Sequence, residues 1–223
     1  MRWIDGRRRF FQILASLPTM HPFVYLASQS PRRSQLLEQI GIAHRLLVAQ
    51  DGDPEPQDPE ALELVLPRES ATDYVQRVTG LKLDAALARL QRRGLDPAPI
   101  LCSDTTVSLG RHILGKPETP QQASEMLQAL SGKTHRVLTA VALQSGRKRL
   151  TALSVSSVQF APIDAAQIEA YVASGEPMGK AGAYGVQGRA AAYIAKISGS
   201  YSGIMGLPVF ETANVLRAAG FAI

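Results

Sequence analysis

Several groups of residues in this chain have the types and spacing to do chemistry. The first is Ser28-Gln29-Ser30-Pro31-Arg32-Arg33, which follows the apolar run at 23–27 and precedes Leu36, Leu37 and Ile40. That order reads as a strand, a tight loop and a helix, with Ser30 as N-cap, Pro31 at the first helical position and Gly41 as the stop. Free backbone N–H groups and the positive end of a helix dipole favour an anion there, and Arg32 and Arg33 add two permanent charges. Arginine is the wrong sign for a first turn, so the pair opposes helix stability and asks for an explanation. Two fit the residues equally well: a phosphate cradle, or an ordinary capped helix with two solvated arginines.

The second group is Asp104, in the middle of the apolar run at 100–109. An ionised carboxylate in buried-strand sequence is costly unless it is paired or bound to a cation. Asp104 therefore predicts a partner, either a structural arginine or a metal. The third is Lys116, between Gly115 and Pro117 in an irregular loop that returns toward the same end of the sheet. Asp51 and Asp53 end the apolar run at 42–48, where a carboxylate at a strand end can reach a metal; the same acidic, proline-rich stretch also reads as a solvated loop. The fourth group is Gly182, Gly185 and Gly188 around Tyr184 and Gln187. Glycines at that spacing suggest a backbone pressed against another segment or a ligand, with Tyr184 and Gln187 able to read a base edge.

The elements that must position these groups follow from the hydrophobic pattern. Strands are predicted over 42–48, 100–109, 135–143, 150–160 and 191–197, the third and fourth of these as an antiparallel pair through Ser145-Gly146. Helices are predicted over 70–90, with Tyr74, Val78, Leu81 and Ala85 inward and Lys82 on the same element, then over 119–130 and 164–173, with a last one carrying Thr212, Val215 and Leu216. Residues 198–203 read as a loop. Ser131-Gly132-Lys133-Thr134 imitates the end of a nucleotide P-loop, but Leu127 stands where the motif needs glycine, and here a helix ends rather than begins. His135 reads as a structural residue at a strand end.

The bulk properties narrow the function classes. The chain has 223 residues, with 45% hydrophobic and 19% charged, as expected of a folded globular protein. Cys102 is the single cysteine, which excludes an intrachain disulfide, suits a cytoplasmic location and reads as a small buried hydrophobe rather than a catalytic thiol. No apolar run approaches the ~20 residues that cross a bilayer, so no membrane partner is expected. The net charge is +5, but Arg2, Arg7, Arg8 and Arg9 face only Asp5 within residues 1–19, so most of the excess belongs to the terminus and not to a basic face. No stable nucleic-acid complex is expected. Residues 1–20 are expected to be a poorly ordered extension, and residues 21–223 one catalytic domain.

The segments LASQSPRRSQLL, SDTTVSLGRHILGKP, LSGKTHRVLTAVAL, YVASGEPMGKAGAYGVQG and GSYSGIMGLPVFETANVLR, taken together and in this order, resemble the Maf family of septum formation proteins. The resemblance implies an α/β fold of Maf/ITPase-like type, with a mixed central sheet flanked by helices and two lobes around an active-site cleft. It implies a nucleoside triphosphate pyrophosphatase that releases monophosphate and pyrophosphate with a divalent cation, Mg²⁺ or Mn²⁺. By position it assigns substrate binding to Ser30, Arg32, Arg33, Lys116 and Gln187, catalysis to Asp104 and Lys116, and metal binding to Asp104 and, by spacing, Asp53. Arg32 directly after Pro31, and GAYGVQG, are similar to the branch acting on dTTP and UTP; the 7-methyl-GTP branch tends to carry tryptophan at Arg32. One departure is that the family's adjacent acidic pair is here split by Gly52. A homodimer is compatible with this reading. A nucleotide- or nucleic-acid-binding regulator of cell division, without turnover, is the competing class.

Overall fold

The apolar run that contains Asp104 becomes the spine of the sheet. The computed structural model describes residues 22–50 and 62–223. Asp51, Asp53 and the expected terminal extension lie outside them. Seven strands form among the described residues: β1 (Val24–Leu26), β2 (His44–Leu46), β3 (Ile100–Leu109), β4 (His112–Leu114), β5 (Thr134–Ser145), β6 (Lys148–Phe160) and β7 (Ile194–Ser198). Their order is β2-β1-β3-β5-β6-β7, with β4 also on β3. β1 runs parallel to β2 and β3, and every other pairing is antiparallel. This is the mixed α/β sheet that the family resemblance implied.

One irregularity in that sheet makes room for a site. β5 pairs with β3 continuously from Ile100 to Ser108. On the opposite edge β1 pairs only with Ile100 and Leu101, and β4 only with Val107 to Leu109. Among the described residues, the edge from 102 to 106 has no strand partner, and Asp104 is at its centre. A break in a ladder leaves backbone polar groups facing open space, where water or a ligand must satisfy them.

Among the described residues six helices flank the sheet: α1 (Pro31–Gln39), α2 (Ala71–Arg92), α3 (Pro120–Leu130), α4 (Ala165–Ala173), α5 (Tyr201–Met205) and α6 (Val209–Ala218). α2 starts where expected, with Ser70 Oγ accepting from the Asp73 amide and donating to its carboxylate. α3 and α4 are capped by Thr119 and by an Asp164–Gln167 capping box. Apolar side chains of β1, α1 and α6 form one core cluster around Leu26, Leu37, Leu101 and Leu216. Others gather at the far end of β3, where α3, α4 and residues 181–193 pack around Val107, Leu127 and Phe160. The gap in the ladder lies between these two clusters, which gives the expected two-sided cleft its physical basis.

Several expectations shift in detail. Leu81 on α2 is exposed, and Leu83 points inward instead. Residues 189–193 form 3₁₀ turns, so the last strand begins at Ile194. Residues 201–203, read as part of a loop over 198–203, belong to the helix Tyr201–Met205, capped by the Ser200 hydroxyl on the Gly203 amide. Ser30 stands at the N-cap of α1, but its side chain makes no capping bond.

Candidate active site

The loop between β1 and α1 forms one wall of a cavity of about 510 Å³. It is held by its arginines. Arg32 Nε donates to the Met205 carbonyl at 3.3 Å and Arg33 Nε to the Gly206 carbonyl at 2.8 Å. Arg33 Nη1 also reaches Ser28 Oγ at 3.0 Å. The two arginines that looked misplaced at the start of α1 thus bond consecutive carbonyls where α5 ends, 173 positions along the chain, an end that favours cations. Burial lowers the Arg33 pKa, with the Asp104 charge acting against that.

Asp104 is 7% exposed and its side chain faces α2. Its partner is a lysine: Lys82 Nζ lies 2.5 Å from Asp104 Oδ1 and 2.7 Å from Glu63 Oε1. Glu63 also accepts from Lys116 Nζ at 3.0 and 2.9 Å. The result is a chain of alternating charge, Asp104–Lys82–Glu63–Lys116, along one wall. Burial opposes the charge on Lys82, but Asp104 and Glu63 outweigh it and raise its pKa above the ordinary lysine value. Burial also opposes the Glu63 carboxylate, and the two lysines overcome that and hold its pKa below the usual range. Tyr74 Oη donates to the Glu63 carbonyl, fixing the backbone that carries this acid.

The glycine segment closes the cavity from the other side. Gly182 has φ of +68°, and a Cβ there would meet Val107 Cγ1 at 2.9 Å, so no other residue fits this turn. Its amide donates to the Gly115 carbonyl at 3.0 Å, tying the glycine turn to the loop of Lys116. Tyr184 is pinned from behind by His135, whose Nε2 lies 2.7 Å from the phenol oxygen. Burial pushes the His135 imidazole down to about 4. Gln187 is at the cavity rim, on the exposed part of the same segment.

Ser30, Arg32, Arg33, Asp104, Lys116 and Gln187 therefore all line one cavity. The second metal candidate, Asp53, lies outside the described residues. Sequence reasoning missed Glu63 and did not assign Lys82 a role. Lys82 carried a signal: with Tyr74, Val78 and Ala86 it continues an i, i+4 row on the inward face of α2, where a lysine must be answered by an acid. Glu63 carried none, since it precedes the exposed Leu64, Val65 and Leu66 and its role depends wholly on tertiary contacts. Cys102 is fully buried and its thiol is pushed up to about 12, so it is inert packing.

A cavity that sets a buried carboxylate among several basic side chains is suited to an anionic, multiply charged ligand, with Asp104 able to take a proton or a cation. The comparisons with known proteins agree in kind. Residues 23–219 match the family model described as Maf-like protein. A dTTP/UTP pyrophosphatase of Polaromonas sp. (strain JS666) is 68% identical over 202 residues, covering 90% of this chain and 98% of that protein. One from Albidiferax ferrireducens is 62% identical, covering 92% and 100%, and one from Cupriavidus metallidurans is 61% identical, covering 90% and 98%. The chain belongs to the Maf family.

Proposed function

We propose that this chain is a nucleoside triphosphate pyrophosphatase that hydrolyses dTTP and UTP to the monophosphate and pyrophosphate. The observation that carries the reading is the convergence of Arg32, Arg33, Lys82, Lys116 and Asp104 on one cavity at the break in the β3 ladder. A non-catalytic binder would need the cations but has no use for a carboxylate buried beside them. Cleavage between the α and β phosphates asks mainly for charge neutralisation and an aligned water. Arg32 and Lys116 face the cavity and would hold phosphoryl oxygens, while Arg33 keeps the loop in place through Gly206 and Ser28. Asp104 would orient and deprotonate a water; its oxygen bonds to phosphorus, the P–O bond to the leaving pyrophosphate breaks, and the proton passes to the carboxylate.

A divalent cation fits the donor set. Asp104 and Glu63 already converge their oxygens on one ammonium, and hard cations such as Mg²⁺ or Mn²⁺ take carboxylate oxygens. Asp104 and Glu63 would hold it, with Asp53 a further oxygen donor. When bound, such an ion neutralises phosphate charge and lowers the pKa of a coordinated water. No described helix is long and apolar enough to cross a membrane, and a nucleotide enzyme whose single cysteine is a buried, free thiol fits the cytoplasm.

The test is a product assay on purified protein with dTTP, UTP and 7-methyl-GTP, each with Mg²⁺ and with Mn²⁺. The expected result is pyrophosphate and monophosphate from the first two. Orthophosphate in place of pyrophosphate refutes the cleavage position, turnover of 7-methyl-GTP alone refutes the substrate branch, and nucleotide binding without turnover supports the regulator instead.

A further inference from the structure

Lys180 lines the same cavity and has no role in the account so far. It lies on the approach to the glycine segment, two residues before Gly182. Its ammonium donates to the Glu176 backbone carbonyl. Its aliphatic arm crosses the face of Gly185, where a Cβ would sit 3.3 Å from both Cδ and Cε and 3.5 Å from Gln187 Nε2. The arm is thus fixed against the turn that presents Gln187. Among the described residues, no carboxylate forms an ion pair with Lys180 or Arg32, whereas Lys82 and Lys116 are both answered by acids.

A lysine ammonium has three donors, and one backbone carbonyl occupies one of them. Holding the rest in a half-buried place next to another cation is unfavourable unless an acceptor arrives. Burial, and then the Arg32 charge, lower the Lys180 pKa, and the Glu176 carboxylate opposes that only in part. Packing alone does not call for this arrangement, since an apolar side chain of the same length would cover Gly185 without a half-buried charge.

Resting on the reading that the cavity takes a nucleoside triphosphate, we propose that Lys180 is a further substrate-contacting residue, its ammonium donating to an acceptor oxygen of the nucleotide held between Arg32 and Gln187. That oxygen is either phosphoryl or a pyrimidine carbonyl. Both accept from an ammonium, and the two are separable by experiment.

Lys180→Met keeps the arm and removes the charge, while Lys180→Arg keeps the charge. With the full chain, KM for UTP rises about 10- to 100-fold in Lys180→Met, kcat falls by less, and Lys180→Arg recovers most of the loss. Calorimetry with inorganic pyrophosphate and with uridine needs no turnover and separates the sources. If the partner is phosphoryl, Lys180→Met weakens pyrophosphate and leaves uridine unchanged; if it is a base carbonyl, the reverse holds. A KM and both affinities within twofold of the original chain overturn the proposal, as does an arginine variant as impaired as the methionine one, which would mean that the shape of the arm matters and its charge does not. Failure of the original chain to bind either UTP or pyrophosphate would instead overturn the nucleotide reading itself.

Discussion

The two sides of the cavity solve the problem of buried charge in opposite ways. On the side facing α2, Lys82 and Lys116 are answered by carboxylates, in the alternating series Asp104, Lys82, Glu63, Lys116. Across from it, among the described residues, Arg32, Arg33 and Lys180 make their hydrogen bonds to neutral oxygens: the Met205, Gly206 and Glu176 carbonyls and the Ser28 hydroxyl. In the first, the alternating charges offset one another. The second, among the described residues, carries an excess of positive charge, which suits an anionic ligand. One side is thus equipped for acid–base work and the other for holding what is acted on, and changes on the two should have different signatures.

The largest effect is expected on the compensated side. Asp104→Asn keeps the shape and an acceptor for Lys82 but removes the proposed base, and should lower kcat/KM for UTP by about 10²- to 10⁴-fold with the fold intact. A variant within threefold of the original rate would take Asp104 out of the chemistry. Lys82→Met tests the same side through stability. It leaves Asp104 and Glu63 facing each other without the ammonium, and loss of one partner from a largely buried pair costs about 3 kcal/mol, here toward the lower end because the lysine is part-exposed. The melting temperature should fall by about 6–12 °C. No change on melting would mean that the acidic row is held by something other than this lysine.

A neutral support behind the bare-cation side gives a pH signature of known sign. His135 is 2% exposed beside Tyr184 and Phe160, and its pKa is pushed down to about 4 by burial. An unfolded imidazole takes its proton near 6.5, so between those values the unfolded chain binds more protons and stability falls as the pH is lowered. Between pH 7.5 and 4.5 the original chain should lose about 2–3 kcal/mol more than His135→Phe in denaturant unfolding. Glu63, whose pKa is held below the carboxylate range, contributes stability that is kept above that range and lost only at lower pH, so it does not obscure the window. Equal losses in both proteins would remove the buried imidazole from the account.

How much of this was legible in the sequence depends on how local each feature is. The helix starts at Ser70, Thr119 and Asp164, the β5–β6 hairpin at Ser145-Gly146 and the glycine turn were all readable, because capping, turn geometry and close approach act over a few residues. Asp104 was readable as a residue in need of a partner, but the partner's identity was not, because Lys82 meets it only after α2 folds onto β3. The same holds for the arginines, which violate the rule for α1 and satisfy the one for α5. The break in the β3 ladder had no signature at all. It arises from where β1 and β4 stop, and strand ends are set by tertiary packing more than by propensity.

The smallest predicted effect tests the link between the bare-cation side and Gln187. Glu176 accepts from Tyr171 Oη at 3.0 Å and from the Arg189 amide at 3.1 Å, bracketing the turn that carries Gln187. Its carboxylate fills the space beside Gly188, where a Cβ would lie 2.0 Å from Oε1. Gly188→Ala therefore has to push Glu176 aside and, with it, the backbone that Glu176 holds. A shift of Gln187 should lower kcat/KM for UTP by about tenfold, a loss of about 1.4 kcal/mol in transition-state binding. Glu176→Ala makes room for the methyl but leaves the Tyr171 hydroxyl and the Arg189 amide without their acceptor, so it too should lose activity. Because the two changes act on one contact, their effects should not add, and the double variant should be no worse than Glu176→Ala alone. Additive losses would show that Gly188 and Glu176 act separately, and that Gln187 is positioned by the turn itself and not by the acid behind it.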